Sequence, residues 1–450
     1  MVTLCAIALA TGCSDDRETN SGTVAETTGQ RQSTEQRQTS ETETSKQPTE
    51  PWRTTPPAMP QIPDLVRGFT YGDASGNRVV EGTGRLPDVD PIDIPLSGTP
   101  LWVVGTPLEE DTGWTVAYGD GRVDAFRLDS ESDRVDDWLT STVELPPGAP
   151  PAVIAEGERL RLPTGGSALT HPLETPSGII SIGADGSFAA RPGEAPGITA
   201  LPDGRIVENS QGATAVLTSP SSRYDHGVLG DELEAKGMGI LSRKNGGYLL
   251  DREITPESGG VFEGIAPFWF DTEEGQALAI TESVEGRGSR VAVYASDGAL
   301  IAAGPFFEEA KKWRHLIAAG PFGPNGETEI VATRTPHLDA VTEFYRLDAI
   351  SGTLKIVAAG VGFPTHTIYS RNLDAARAGD LDDDGAWELL APNDNYNGFV
   401  AVRHTANGVE PVWEIPLGGT LASNIASTTD REGRIAIAAG TLEGNLRIWR

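Results

Sequence analysis

The chain reads as an all-β protein, a β-propeller of about seven blades behind a disordered tether, on three observations. Short β-type runs alternate with turn dipeptides from about Pro63 to the end. Four segments in the C-terminal half repeat one strand-loop-strand pattern. No window offers a convincing amphipathic helix, and only 231–236 and 308–313 leave room for a turn or two. The composition agrees, since aromatics are only 6% while 53 glycines and 32 prolines supply turns.

Taken in order, the chain starts MVTLCAIALATGCSDD, an apolar stretch followed by Ala10-Thr11-Gly12-Cys13 and then abrupt polarity. That is the shape of a short secretory signal. It resembles a bacterial lipoprotein signal, in which small residues let the signal peptidase reach the bond and the cysteine thiol takes the lipid. The resemblance implies a signal peptide at 1–13, lipidation at Cys13, and export to the cell envelope, at the outer membrane or cell surface. Ser14 after the cysteine argues, by the same resemblance, against retention in an inner membrane. Cys5 falls inside the signal, so the mature chain would hold no second thiol and no disulfide, and cysteine metal sites and nucleophiles are excluded.

From 14 to 62 the residues are mostly Thr, Ser, Glu, Gln and Pro, without periodic apolar positions. Such a segment cannot bury enough surface to offset chain entropy and is expected to be a disordered tether. As a flexible coil it would reach roughly 35 to 40 Å.

The body, 63–450, carries Asp-Gly at Asp120-Gly121, Asp185-Gly186, Asp203-Gly204 and Asp297-Gly298, and Asn-Gly at Asn245-Gly246. These dipeptides suit two-residue type I′ hairpins. Further on, APFWFDTEEGQALAIT, AAGPFGPNGETEIVAT, RAGDLDDDGAWELLAP and IASTTDREGRIAIAAG align on Gly275, Gly326, Gly385 and Gly433, at spacings of 51, 59 and 48. A four-stranded blade takes about 40 to 50 residues, so these periods suit a propeller. Whether a strand near Phe69 to Val80 closes the ring against the last strand, Asn445 to Trp449, is left open by the sequence. The stretch from about Ile265 to Arg450 resembles the FG-GAP or VCBS repeats of integrin-type propellers and bacterial surface proteins, most clearly in PFGPNGETEIVAT and GDLDDDGAWELLAP.

In GDLDDDGAWELL, alternate carboxylates on a tight loop can turn inward toward a hard cation that needs six to eight oxygens. Asp380, Asp382 and Asp384 would supply the first three ligands, the Ala386 carbonyl the next and Glu388 another, with Gly385 at the bend. An EF-hand would place glutamate at position 12, where Ala391 stands. The loop resembles the hairpin calcium loop of FG-GAP repeats, and Ca²⁺ is the expected ion; the alternative is a solvated acidic turn.

The net charge of −30 makes nucleic acid a poor partner, and only six of the 35 cations are lysines. No serine-hydrolase, zinc-protease, P-loop or dinucleotide fingerprint occurs. Strand ends around a central funnel would gather Glu263, Arg314, His315, Arg371, Asn372, Asp374 and Asn424, with the 334–337 segment beside them; such a ring either binds a ligand or lines a water-filled channel. The function read from these features is a lipid-anchored, exported, calcium-containing module, monomeric and non-catalytic, that binds or scaffolds protein or glycan. The alternatives are a propeller enzyme acting on polysaccharide, as lyase or glycosidase, and an envelope-assembly scaffold.

Overall fold

The computed structural model describes residues 65–138, 144–157, 159–176 and 178–450. The signal at 1–13, with Cys13, and the tether at 14–62 lie outside the described residues. No helix occurs among the described residues. The 308–313 segment is bends and turns, and 231–236 leads into the strand Glu234–Lys244.

Most of the chain is a series of four-stranded antiparallel meanders. The clearest runs Arg377–Asp380, Glu388–Pro392, Gly398–Thr405, Gly408–Pro416. Its first strand is buried at all four positions and its last is mostly exposed. The unit at 314–360 has the same gradient, from Arg314–Gly320 to Thr353–Gly360. A strand can be buried throughout only if neighbours flank it on every side, so first strands lie innermost and last strands form the rim.

Apolar side chains fill the spaces between neighbouring sheets. Leu217 shares a core with Leu278, Val293 with Ile330, and Val331 with Leu389. Phe399 shares one with Ile437, Ala438 with Val116, Val104 with Val153, and Ala152 with Ile180 and Val216. The last of these cores returns to the sheet of the first. A circle of sheets, each packed on the next, is a β-propeller.

Among the described residues six units have four strands, and two sheets have three, Leu65–Phe69 with Ala152–Glu156 and Arg159–Arg161, and Leu173–Thr175 with Gly178–Ile182 and Phe188–Arg191, which share one core. The expectation of seven blades requires those two sheets to count as one. The ring closes through Ile92–Pro95, antiparallel to Asn445–Trp449 with Ile92 opposite Ile448 and Ile94 opposite Leu446. The segments near Phe69 to Val80 serve elsewhere. Leu65–Phe69 pairs with Ala152–Glu156, and Val79–Thr83 runs parallel to Arg377–Asp380.

The turns differ from the type I′ expectation in a regular way. At Gly121, Gly186 and Gly298 φ is positive, while the aspartate before each is not left-handed. Each aspartate carboxylate instead accepts the N–H two residues on, at Arg122, Ser187 and Ala299. This is a type I turn with a glycine bulge, for which the aspartate side chain supplies the extra bond. Only Asn245-Gly246 has both residues at positive φ. Asp203-Gly204 makes no hairpin, because Asp203 is buried and paired with Arg371.

The four aligned glycines all have positive φ. Gly326, Gly385 and Gly433 sit in the connection between the first and second strands of their units (314–334, 377–392 and 421–441), and Gly275 opens the second strand of its own, Gly275–Val284.

Candidate functional site

The acidic loop joins Arg377–Asp380 to Glu388–Pro392. Asp383 (φ 61°) and Gly385 (φ 84°) are left-handed, which tightens the bend and turns alternate side chains to one side. Carboxylate oxygens of Asp380, Asp382 and Asp384 all lie within 4.8 Å of one another. Two oxygens on one calcium at 2.3–2.6 Å stand no more than about 5 Å apart, so the spacing fits.

Asp380 is the buried member, 9% exposed, and its Oδ1 has no hydrogen-bond partner. Its Oδ2 accepts from the Gly385 N–H at 3.2 Å. Burial, then the neighbouring aspartates, raises its pKa. A buried carboxylate oxygen without a donor is costly unless a proton or a cation meets it. The three aspartates can therefore hold a metal ion.

Arg403, on the third strand of the unit, is the loop's built-in cation. It pairs with Asp382, Asp384 and Glu388. Trp413 Nε1 donates to Asp382 at 2.9 Å. Glu388 is fully buried; one oxygen accepts the Leu381 N–H at 2.9 Å and the other takes Arg403. Burial pushes its pKa up to about 8. Both oxygens of the predicted Glu388 ligand are thus already engaged.

The seven funnel residues fall into two groups. Asp374 lies on the axis, fully buried, accepting from Thr70 at 2.6 Å, Arg78 at 2.9 Å and Arg205 at 2.9 and 2.7 Å. Burial alone would raise its pKa, but Arg205 and Arg78 outweigh it and hold the carboxyl far below the usual range. Asn372 accepts the Asp374 N–H at 3.0 Å. Asn424 bonds both backbone groups of Val103 and the Thr70 carbonyl. Asp374 and Asn424 thus join segments remote in sequence, while Asn372 bonds only within its own loop.

Glu263, Arg314, His315 and Arg371 sit toward one end of the axis. Glu263 accepts from His226 at 2.6 Å and from Ser283. Arg314 pairs with Glu343 at 2.8 Å. Arg371 pairs with Asp203 and Asp231. His315 meets Thr365 at 2.9 Å and stacks on Trp313. The cavity beside Glu263, Arg314 and His315 is about 20 Å³, room for about one water. Val228, Leu229, Ile265, Trp313 and Leu373 form an apolar plug there. That space is smaller than either a ligand pocket or a water-filled channel needs.

Three further histidines lie nearby: His366 is 5.2 Å from the Trp313 ring, His337 is 5.7 Å from His366, and His226 bonds Glu263. His337 falls in the predicted 334–337 segment; His226 and His366 carried no signal, being isolated histidines in loops. Arg78, Arg205 and Arg377 were also missed, although the excess of arginine over lysine is what buried paired cations require.

No protein-family model matches the chain, and no curated protein matches it. Among solved structures it is similar to a europium-containing methanol dehydrogenase, at 10% identity and a TM-score of 0.48, over 82% of this chain and 89% of that one. A likeness of that size transfers no property of that protein to this chain.

Proposed function

We propose that this chain is an exported, lipid-anchored β-propeller of the FG-GAP or VCBS type, which holds Ca²⁺ at Asp380, Asp382 and Asp384 and binds or scaffolds a protein or glycan without catalysis. The unpartnered Asp380 oxygen at the centre of a converging carboxylate set carries this reading. Four aligned loops at equivalent first-to-second strand connections support the repeat family.

Calcium bound there would bridge carboxylates that otherwise repel, and its role is structural. Arg403 and Trp413 would position Asp382, and Gly385 would shape the turn. At the 10⁻⁴ to 10⁻³ M affinity of extracellular modules, millimolar calcium stabilises the fold by about 0.4 to 1.4 kcal/mol. Such a loop fills outside the cell and stays empty at cytosolic calcium, which agrees with the signal at 1–13.

Anchoring is tested by metabolic lipid labelling with Cys13→Ser alongside. The reading predicts label on the wild type alone, with the protein in the membrane fraction. Equal labelling, or none in either, contradicts the anchor.

A further inference from the structure

Where the last four-stranded unit meets the first, a cavity of about 230 Å³ opens between Arg85, Arg434 and Arg450, with Thr112, Ser130 and Asp430 in its wall. The three guanidiniums come from separate stretches of chain. Arg434 Nε pairs with Asp430 at 2.6 Å, and its Nη2 meets Glu432 and the Ser130 carbonyl, which leaves Nη1 without a partner among the described residues. Arg450 donates from Nη1 and Nη2 to the Asp129 and Ser132 carbonyls at 2.6 and 2.7 Å, and Nη2 also meets Asp133, which leaves Nε open. Arg85 makes no ion pair or side-chain hydrogen bond among the described residues, so it is the unmatched charge of the wall.

The wall's one carboxylate is already engaged. Asp430 accepts the Glu432 and Arg434 N–H groups on Oδ1 and Arg434 Nε on Oδ2. Glu432 and Asp133 touch Arg434 and Arg450 but do not line the cavity. Two hydroxyls of opposite disposition complete the polar set. Thr112 Oγ1 is buried and accepts from Trp114 Nε1 at 3.1 Å, so its proton is left to donate. Ser130 Oγ donates to the Glu110 carbonyl, so its lone pairs are left to accept. Val89 and Ala436 add an apolar face.

The backbone that carries Arg85 is held on both sides. Thr83 N–H donates to the Gly433 carbonyl at 3.0 Å, Gly84 N–H to the Asp380 carbonyl at 2.7 Å, and Leu86 N–H to the Leu381 carbonyl at 2.9 Å. A fixed backbone lowers the ordering cost of using that guanidinium. The net charge of −30 repels anions from most of this surface, so an anion that binds must be met by a local cation.

We propose that this cavity binds one acidic sugar unit of a glycan, with its carboxylate or sulfate oxygens on Arg85 and on the open edges of Arg434 and Arg450. Guanidinium forks suit such oxyanions. The two hydroxyls take ring hydroxyls, and Val89 and Ala436 take a C–H face. The volume is below the roughly 300–1,000 Å³ of pockets for drug-sized ligands, which limits the occupant to about one sugar. The inference rests on the glycan side of the proposed function and narrows it to acidic glycans.

The test is calorimetric titration of the full chain, in calcium-free buffer, with trigalacturonate, a sulfated galactose trisaccharide, a neutral galactose trisaccharide and sodium sulfate. We expect one of the acidic trisaccharides to bind at a single equivalent, the one that binds naming the oxyanion. Its affinity should be at least about tenfold weaker in Arg85→Ala, the loss of one charge-assisted contact. The melting temperature of Arg85→Ala should match the wild type, because that side chain is exposed and without partners. Equal affinity in Arg85→Ala, equal affinity for the neutral sugar, sulfate bound as tightly as either trisaccharide (an adventitious ion only), or no binding at all overturns the inference. Calcium is then added to the same protein and its melting temperature read. If the acidic sugars fail while calcium still stabilises, this inference falls alone; if both fail, the calcium reading falls with it.

Discussion

Arg403 donates from one guanidinium nitrogen to both oxygens of Asp382, at 2.9 and 3.1 Å. The arginine comes from the third strand of its unit and the aspartate from the loop between the first and second. The unit thus neutralises part of its own acidic loop while leaving Asp380 Oδ1 unmet. That division sets how the loop responds when either cation is removed.

Replacing Arg403 by alanine leaves Asp382 and Asp384 without their cation and one buried Glu388 oxygen without a partner. The expected cost in calcium-free buffer is about 1–3 kcal/mol, read as a lower melting temperature. Added calcium is expected to raise the melting temperature of Arg403→Ala by more than that of the wild type. An equal or smaller rise would show that the two cations do not share the loop.

Asp374 compensates Arg78 and Arg205 where no solvent reaches. Asp374→Asn keeps the shape and removes the charge, leaving buried guanidiniums uncompensated. A loss of about 3–5 kcal/mol in urea unfolding is expected. A loss below about 1 kcal/mol, the range of surface pairs, would contradict this role.

Gly84 passes so close to the acidic loop that a Cβ would lie 2.3 Å from the Leu381 carbonyl oxygen. Its N–H also donates to the Asp380 carbonyl at 2.7 Å. Backbone on both sides cannot yield, so Gly84→Ala is expected to cost about 1–3 kcal/mol. Gly98→Ala, where the nearest atom is an arginine tip at 3.4 Å, is the near-neutral control. Equal melting temperatures for the two variants would contradict the close approach.

His171 is buried against Phe69 and Tyr71, and burial lowers its pKa to about 4. An unfolded histidine titrates near 6.5. The neutral ring therefore contributes full stability above about pH 6.5, and that contribution is lost as pH falls toward 4, by up to about 3 kcal/mol. His171→Phe is expected to flatten the melting temperature over that window relative to the wild type. Parallel curves would contradict the assignment.

The all-β class and the repeat were legible because both are local patterns. Gly326, Gly385 and Gly433 occupy equivalent turns because each needs positive φ at the same place. Turn type was not legible, since Asp120, Asp185 and Asp297 act through their side chains. Closure was not legible either, because Ile92 and Ile94 look like any short alternating run until Asn445–Trp449 is beside them. The acidic triad was visible as spacing, but Arg403 was not, because its role depends on strand register. Asp374 was named for a ligand site, yet its three-residue polar circle of Thr70, Arg78 and Arg205 is drawn from segments remote in sequence.

The measurement closest to the central proposal is the melting temperature of the chain during calcium titration, with Asp382→Ala alongside. A rise equivalent to about 0.4 to 1.4 kcal/mol near millimolar calcium is predicted for the wild type, and none for the variant. No rise in the wild type, or an equal rise in both, would mean that Asp380, Asp382 and Asp384 are only an acidic turn braced by Arg403.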